Sequence, residues 1–508
     1  MRLDLENLPD DAALLHQLVR DMASFVGERD GEIERLKAII KQLQRAQFGR
    51  RSERLDPDQL ALALEDIEAD LATAEARRPA VLQAPDKAQP KRKPLPDHLP
   101  REDLRLDIDS AVCACGGALH SIGESVSEML DWVPAQLRVI RIVRPKYACR
   151  ACESVVQAPA PERPIAGGLA TPALLAQVLV SKYCDHTPLY RQSKIFARHG
   201  VDLDRSTLAG WVGAACWWLE ALHDRLSANL FASRHLFADD TPIPVLDPGR
   251  GRTKTGRLWV YARDDRPWGG PDPPGAVYIY APDRRGERPA THLERFKGVL
   301  QVDGYAGFEA LTASGDVKLA ACWAHARRKF YEIAESTAAP VAVEALRRIG
   351  EIYAIEAQVR GQSAALRKAA RLESSRPLVD ALHAWLEQQL ARVPPRGALA
   401  DAIRYALGRW DALRLFLHDG RVDLDNNPVE RAIRPVALGR KNHLFAGSDG
   451  GGARWAVVCS LIETAKMNGV EPFAYLCDVL DRMVDGHPVN RLDELLPWAW
   501  KSGNHVKT

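Results

Sequence analysis

The chain has 508 residues, enough for roughly three to five structural units at the usual ~100 to 200 residues each, which excludes a single small module. Hydrophobic residues make up 46% and charged residues 27%, the balance of a globular protein and not of a collagen, a mucin or a wholly disordered chain. The 69 basic and 67 acidic residues give a net charge of +2, which excludes a uniformly basic coat but leaves room for local positive patches.

No run reaches the ~20 apolar residues of a membrane helix. The first residues, MRLDLENLPDDAALL, lack a basic start followed by an apolar stretch, so the expectation is a cytoplasmic protein without a membrane partner. Nine cysteines in a chain of this kind do not form a disulfide framework; four are clustered, which suggests a metal.

In chain order, the first fifty residues carry a heptad with Val19, Val26, Ile33 and Ile40 at a and Leu15, Met22, Leu36 and Leu43 at d, the pattern of a parallel two-stranded coil. Arg29, Gly27 and Gly31 weaken its middle, and an amphipathic helix docked on its own domain is the alternative. Lys41, Arg45, Arg50, Arg51 and Arg54 then form a basic run in which Arg50 and Arg51 are candidate phosphate contacts. Residues 73–100, rich in Pro, Ala and Lys, read as a linker.

Cys113 and Cys115, followed by Cys149 and Cys152, supply four thiolates for a tetrahedral zinc that could fold a short β-rich segment. The alternative is a set of buried, unligated thiols. TPALLAQVLVSKY and PLYRQSKIFARHG read as helices, the second ended by Gly200. VDLDRSTLAGWVGAACWWL is a third, capped at Asp204 or Ser206. The last two outline a helix-turn-helix, with Arg205, Ser206 and Thr207 at the end that would enter a DNA groove.

From residue 234, RHLFADDTPIPVL, GRLWVYARDD, GAVYIYAPD, GVLQVDGYAGF and DVKLAACWAH read as strands, with ERPATHLERF as a helix before the fourth, an α/β layout. Residues 327–418 have helical spacing and read as an all-α insertion. A polar, basic stretch follows, and then an apolar helix ended by Gly469.

Three carboxylates stand out by position. Asp239, or its neighbour Asp240, lies in the first strand; Asp303 ends the fourth; Glu430 opens a helix beyond the insertion. Acidic residues so placed converge in a ribonuclease-H-like fold. There they hold two magnesium ions, one activating the attacking water or hydroxyl and one steadying the leaving oxygen of a phosphoryl transfer. Each has a plainer alternative: Asp303 bonding its own turn, Asn427 and Glu430 forming a capping box, Asp239 and Asp240 as strand-end charges. Arg327 and Arg328 after His325, and Arg431, Arg434, Arg440 and Lys441 around Glu430, are the cations a phosphodiester would need for positioning.

FADDTPIPVL, QVDGYAGF, ACWAHARRKF, DNNPVERAIRPVALGRKNHLFAGSDGGG and SLIETAKMNGVEPFAYL closely resemble the signature segments of the DDE transposases of the insertion-sequence-sixty-six type. The resemblance covers nearly the whole chain and implies Asp239, Asp303 and Glu430 as the catalytic triad. That family usually has Glu where this chain has Asp240, and the more familiar C-x-x-C where it has Cys113 and Cys115.

The resemblance implies an enzyme that binds the terminal inverted repeats of its own element, cuts phosphodiester bonds by Mg²⁺-activated water and joins the freed 3′-hydroxyl to target DNA. Two ends must be cut in concert, so a homodimer or higher oligomer is expected on double-stranded DNA, with accessory proteins of the same element as further candidate partners.

The expected architecture is a multidomain α/β chain. A coiled-coil helix and basic segment (1–55), a helix and linker (56–100), a zinc-binding domain (101–165) and a helix-turn-helix domain (166–230) precede a ribonuclease-H-like core (231–330 and 421–508) split by the helical insertion (331–420). The rival readings are a catalytically inactive zinc and helix-turn-helix DNA-binding regulator and a nuclease without strand transfer.

Overall fold

The computed structural model describes residues 95–501 apart from 98, 109–111, 114, 134–135, 248–250 and 338. The heptad, Arg50, Arg51 and most of the linker lie outside the described residues.

The first layer is a four-stranded sheet of β1 (Arg101–Arg105), β2 (Leu119–Val133), β3 (Gln136–Cys149) and β4 (Val155–Gln157). β2 and β3 form a long antiparallel hairpin; β1 runs parallel to β3 on its other side, and β4 pairs with the end of β3. The hairpin is anchored where Leu130 exchanges backbone bonds with Leu169 and Thr171, and where Asp131 receives Arg138 at 2.6 Å and the Thr171 hydroxyl. Thr171 also caps the next helix by accepting from the Leu174 N–H.

That helix, α1 (Pro172–Tyr183), is followed by α2 (Leu189–Arg198) and α3 (Arg205–Phe231). Gly200 has φ +76°, the left-handed conformation that lets the chain turn out of α2. Asp204 is the N-cap of α3, as its position suggests, although its side chain makes no capping bond. α3 is 27 residues long and buries Leu208, Trp211, Val212, Leu219, Leu222, Leu226 and Leu230. These side chains share one core with the second sheet and the C-terminal helices. The helix pair with a helix-turn-helix outline is therefore continuous with the central core, not packed as a separate module, because the apolar stripe of α3 extends far beyond a recognition helix. Its first turn carries Arg205, Ser206 and Thr207, with Ser206 exposed and the other two half-buried.

The second sheet comprises β5 (His235–Val245), β6 (Lys254–Arg263), β7 (Gly275–Ala281), β8 (Gly298–Val302) and β9 (Val317–Ala321), in the order β7-β6-β5-β8-β9. The first three strands are antiparallel, while β5, β8 and β9 are parallel. The crossover from β7 to β8 carries α4 (Glu287–His292). Alternation along β5 and β6 divides the apolar side chains between two faces. Phe237, Ile243, Leu258 and Val260 join the large core with α3, whereas Leu236, Ala238, Trp259 and Tyr261 pack with Leu293, Phe296 and Phe308 on the other face.

β9 leads into a run of helices: α5 (Trp323–Thr337), α6 (Pro340–Val359), α7 (Ala364–Ala370), a π-turn (Arg371–Ser375), α8 (Arg376–Arg392), α9 (Ala398–Leu407), α10 (Trp410–Leu413) and α11 (Leu415–His418). They have their own core around Trp323, Phe330, Ile349, Leu382, Leu386 and Phe416, which reaches the sheet only at Val299, Ala320 and Ala321. Buried ions stitch this layer together. Arg367 and Arg371, both fully buried, pair with Glu356, and Arg367 also meets Asp423 at 2.6 Å.

The chain returns through residues 422–426 into α12 (Asn427–His443), α13 (Asp449–Met467) and α14 (Pro472–Val484). α13 is buried along most of its length against β7 and α3, with the Ser460 and Thr464 hydroxyls bonded to the backbone of Tyr278 and Ala276.

Candidate functional site: an acidic cleft and two sulfur-containing clusters

In the parallel register of β5 and β8, Ala238 is opposite Val302. The next residues, Asp239 and Asp303, therefore emerge side by side on strands about 4.8 Å apart, where the pairing ends. Asp303 accepts the N–H of Tyr305 at 2.9 Å, the self-turn expected of an Asp before Gly304, and this leaves its second oxygen available. Gly304 has φ +97°, and a Cβ there would lie 2.7 Å from Arg409 Nε, so the turn requires glycine.

Glu430 is brought to the same end of the sheet by the strap at 422–426. The buried Gln301 side chain donates to the carbonyls of Asp423 and Asp425, both at 2.8 Å. The buried Asn426 side chain donates to the carbonyl of Ala238 at 3.1 Å. Asn426, not Asn427, is the N-cap of α12, and it makes no capping bond because its amide is bonded to β5. This sets aside the capping box that was the plainer alternative for Glu430, which stands one position beyond the box position.

Asp239 feels the other acids at this end of the sheet. Burial, and then the charge of Asp303, push the Asp239 carboxyl up to about 7, with Asp240 and Glu430 adding to the effect. Asp425 is also raised, chiefly by burial, and is a fourth carboxylate at this end that the sequence reading passed over. Asp239, Asp303 and Glu430 do not form a tight triple. Among the described residues, two groups bring three or more potential ligand atoms within 4.8 Å of one another, and these acids are not one of them. Carboxylates spread around two ions do not need that spacing, since such ions sit roughly 3.5 to 4 Å apart. Carboxylate oxygens gathered at one end of a sheet are the kind of donor magnesium takes.

Asp240 has a different surrounding. It points to the opposite face of β5, is buried, and pairs with Arg257 at 2.9 Å and Arg284 at 2.8 Å. The Arg284 guanidinium in turn covers the Tyr305 ring at 4.1 Å.

The two groups within 4.8 Å both contain sulfur. Cys113, Cys115, Cys149 and Cys152 form the first, with Cys113 and Cys152 sulfurs 3.4 Å apart and Cys115 and Cys149 sulfurs 3.7 Å apart. Hydrogen bonds from Ser154 bring the Cys152 thiol down to about 6, while the neighbouring sulfurs push Cys115 up to about 12, so the crowded cluster gives up its protons unevenly. A four-thiolate set of this spacing suits zinc, and the C-x-C pair meets the C-x-x-C pair despite its shorter spacing. The second group is Cys322, His325 and Glu430. Its sequence signal is the C-x-x-H of CWAH.

The candidate DNA contacts are dispersed. Arg327 and Arg328 are exposed on α5, and Arg431, Arg434 and Lys441 on α12. Arg431 lies 3.7 Å from Asp264, and Arg440 donates to the carbonyl of Pro242. Arg440 and Lys441 are not beside Glu430 as expected, because ten residues of helix separate them by about 15 Å.

A four-cysteine segment ahead of a helix-interrupted α/β sheet that presents acids on adjacent strands is the make-up of a transposase. The chain belongs to the Transposase IS66 family, whose model matches residues 167–454. Three shorter family models also match. They are the zinc-finger binding domain of transposase IS66 at 110–153, the IS66 C-terminal element at 460–498, and Transposase C of IS166 homeodomain at 35–104. Similar proteins from Sinorhizobium fredii (strain NBRC 101917 / NGR234) include the uncharacterized proteins y4jD, 44% identical with 99% of each chain covered, and y4qI, 40% identical with the same coverage. The uncharacterized protein y4hP is 43% identical over 92% of this chain and 88% of its own. No helix among the described residues is long and apolar enough to cross a membrane.

Proposed function

We propose that the chain is a transposase that binds the inverted repeats at the ends of its element, cuts the DNA there and joins the freed 3′-hydroxyl to a target. The observation that carries this reading is the emergence of Asp239 and Asp303 side by side on parallel strands, with Glu430 strapped to the same end. The strand order β7-β6-β5-β8-β9, antiparallel then parallel, supports a ribonuclease-H-like core split by helices α5 to α11.

Asp239, Asp303 and Glu430 would hold two magnesium ions, which supply Lewis-acid activation of the attacking oxygen and stabilisation of the leaving one. The protein's own contribution is placement. The Tyr305 N–H fixes one oxygen of Asp303, and the Asp240 N–H fixes one oxygen of Asp239 at 2.7 Å. Exposed Arg327, Arg328, Arg431, Arg434 and Lys441 would engage phosphates on either side of the cleft, positioning the duplex without reading its sequence. The first turn of α3, with Arg205, Ser206 and Thr207, would meet DNA elsewhere, and the four cysteines would hold a structural zinc. The N-terminal heptad would pair two copies, so that both ends are cut in one complex in the cytoplasm. Arg50 and Arg51, just beyond that heptad, would add phosphate contacts.

The test is incubation of the full chain with labelled end-repeat DNA, target plasmid and Mg²⁺. Cleavage followed by joining is expected. Cleavage alone would replace the reading with a nuclease, and specific binding with neither step would make the chain a DNA-binding regulator. Full cutting by Asp303→Asn would refute the assignment of the acids.

A further inference from the structure

β9 ends at Ala321; Cys322 follows it just before α5, and His325 lies in the first turn of α5, near the first turn of α12. A Cys322 sulfur, a His325 ring nitrogen and a Glu430 carboxylate oxygen all lie within 4.8 Å of one another. His325 Nδ1 and Glu430 Oε1 are 3.8 Å apart, too far for a hydrogen bond, and both atoms are buried without a hydrogen-bond partner. Buried polar atoms are nearly always satisfied, so a facing pair of unsatisfied ones indicates a missing third body.

At the start of α5, the sulfur faces backbone donors. The Asn426 N–H donates to it at 3.3 Å, and the backbone N–H of His325 also approaches it. Such N–H donors offset the charge of a metal-bound thiolate and orient it. One thiolate, one imidazole and one carboxylate, with a fourth position open to water, is a zinc-type donor set; magnesium, which takes oxygen ligands, would leave the sulfur unused.

We propose that Cys322, His325 and Glu430 form a second zinc-class metal site, distinct from the four-cysteine cluster, and that filling it withdraws Glu430 from Asp239 and Asp303. The binding half stands on these three side chains alone. The consequence rests on the transposase reading: a zinc-class ion inhibits the magnesium-dependent reaction by occupying the third acid.

The experiment titrates metal-free full-length protein with Co²⁺ under anaerobic conditions, followed by absorption and by bound metal per chain. Two equivalents are expected, one with the strong charge-transfer bands of four thiolates and one with weak single-thiolate bands. His325→Gln, whose partly exposed ring can be replaced without opening the core, and Cys322→Ala should each lose the second equivalent, or weaken it at least tenfold, and keep the first. A double Cys113→Ser, Cys115→Ser variant should do the reverse. One equivalent in the parent, or an unchanged second equivalent in His325→Gln, overturns the proposal. DNA cutting in Mg²⁺ with added Zn²⁺ is measured in parallel. Inhibition that His325→Gln relieves at least tenfold is expected, and equal inhibition of parent and variant overturns the consequence. A protein that binds two equivalents and never cuts DNA would leave the metal site standing and remove the transposase reading.

Discussion

The side-chain amide of Asn426 donates to the main-chain carbonyl of Ala238, linking the residue just before α12 to the residue just before Asp239. The third acid is thus positioned relative to the first by a buried hydrogen bond, and not only by the packing of a helix on a sheet. Asn426→Leu should lower the denaturation free energy by about 1 kcal/mol, the typical worth of one buried bond, with the unpaired Oδ1 it also removes limiting the loss. The larger effect is expected on function. In a magnesium titration of DNA cutting, the variant should need several-fold more Mg²⁺ to reach half its maximal rate. An unchanged magnesium requirement would show that the strap does not place Glu430.

Adjacent aspartates on β5 should respond oppositely to substitution. Asp240 is buried between Arg257 and Arg284, which are themselves partly open to water, so Asp240→Ala should cost about 1 to 2 kcal/mol. Asp239 is raised to about 7 by burial and by Asp303, and its folded form holds a proton that the unfolded chain releases near pH 4. Its stabilising contribution is present below about pH 4 and is lost as the pH rises through about 7. Without divalent ions, Asp239→Asn should therefore match the parent in acid and exceed it at pH 8, as read by urea midpoints. Adding Mg²⁺ should reduce that difference.

Two buried histidines and one half-buried one predict an acid limit. Burial pushes His235 and His292 down to about 4 and His443 down to about 3. His443 keeps its neutral form bonded to the Lys182 carbonyl at 3.0 Å, and His292 lies 2.8 Å from the Tyr261 hydroxyl. With folded values below the unfolded one near 6.5, their stabilisation is full above pH 6.5 and is lost as the pH falls toward 4. Urea midpoints should decline steadily across that window, and His235→Phe should flatten the decline. A flat profile in the parent would contradict the neutral assignments.

Chelation should loosen one end of the first sheet and spare the other. Leu130, Leu137 and Val139 at the closed end of the hairpin belong to the central core, whereas the four cysteines hold its open end. Amide exchange after metal removal should therefore lose protection at 113–123 and 145–157 and retain it at 130 and 137–139. Uniform loss over the whole hairpin would show that the metal supports more than its own corner.

Much of this was legible in the chain itself. Short β-branched and aromatic runs between Gly, Pro and Asp clusters marked β5 to β9, and the Gly304 turn marked where Asp303 leaves its strand, because both signals are local. Spacing alone left Asp239 and Asp240 open and only the resemblance chose Asp239, since the burial of Asp240 depends on arginines at 257 and 284 that become neighbours only in the folded sheet. The cap at Asn426 was hidden for the same reason: its amide is engaged by Ala238, far away in sequence. The length of α3 misled the helix-turn-helix outline, which describes only its first turn, whereas the apolar stripe continuing to Leu230 commits the helix to the core.

The Trp323 N–H donates to the Leu424 carbonyl at 2.8 Å, so the chain leaves the sheet and returns to it at a single point. Everything between those two residues is, in topological terms, one closed excursion. Its closure entropy grows only slowly with its length, and its helices bury their apolar surface largely among themselves. The excursion can therefore be enlarged, trimmed or rebuilt over evolutionary time without displacing Glu430, provided that the two ends still meet and Arg367 still reaches Asp423. The end of the sheet that carries Asp239, Asp303 and Glu430 can stay fixed while the helices between Trp323 and Leu424 change.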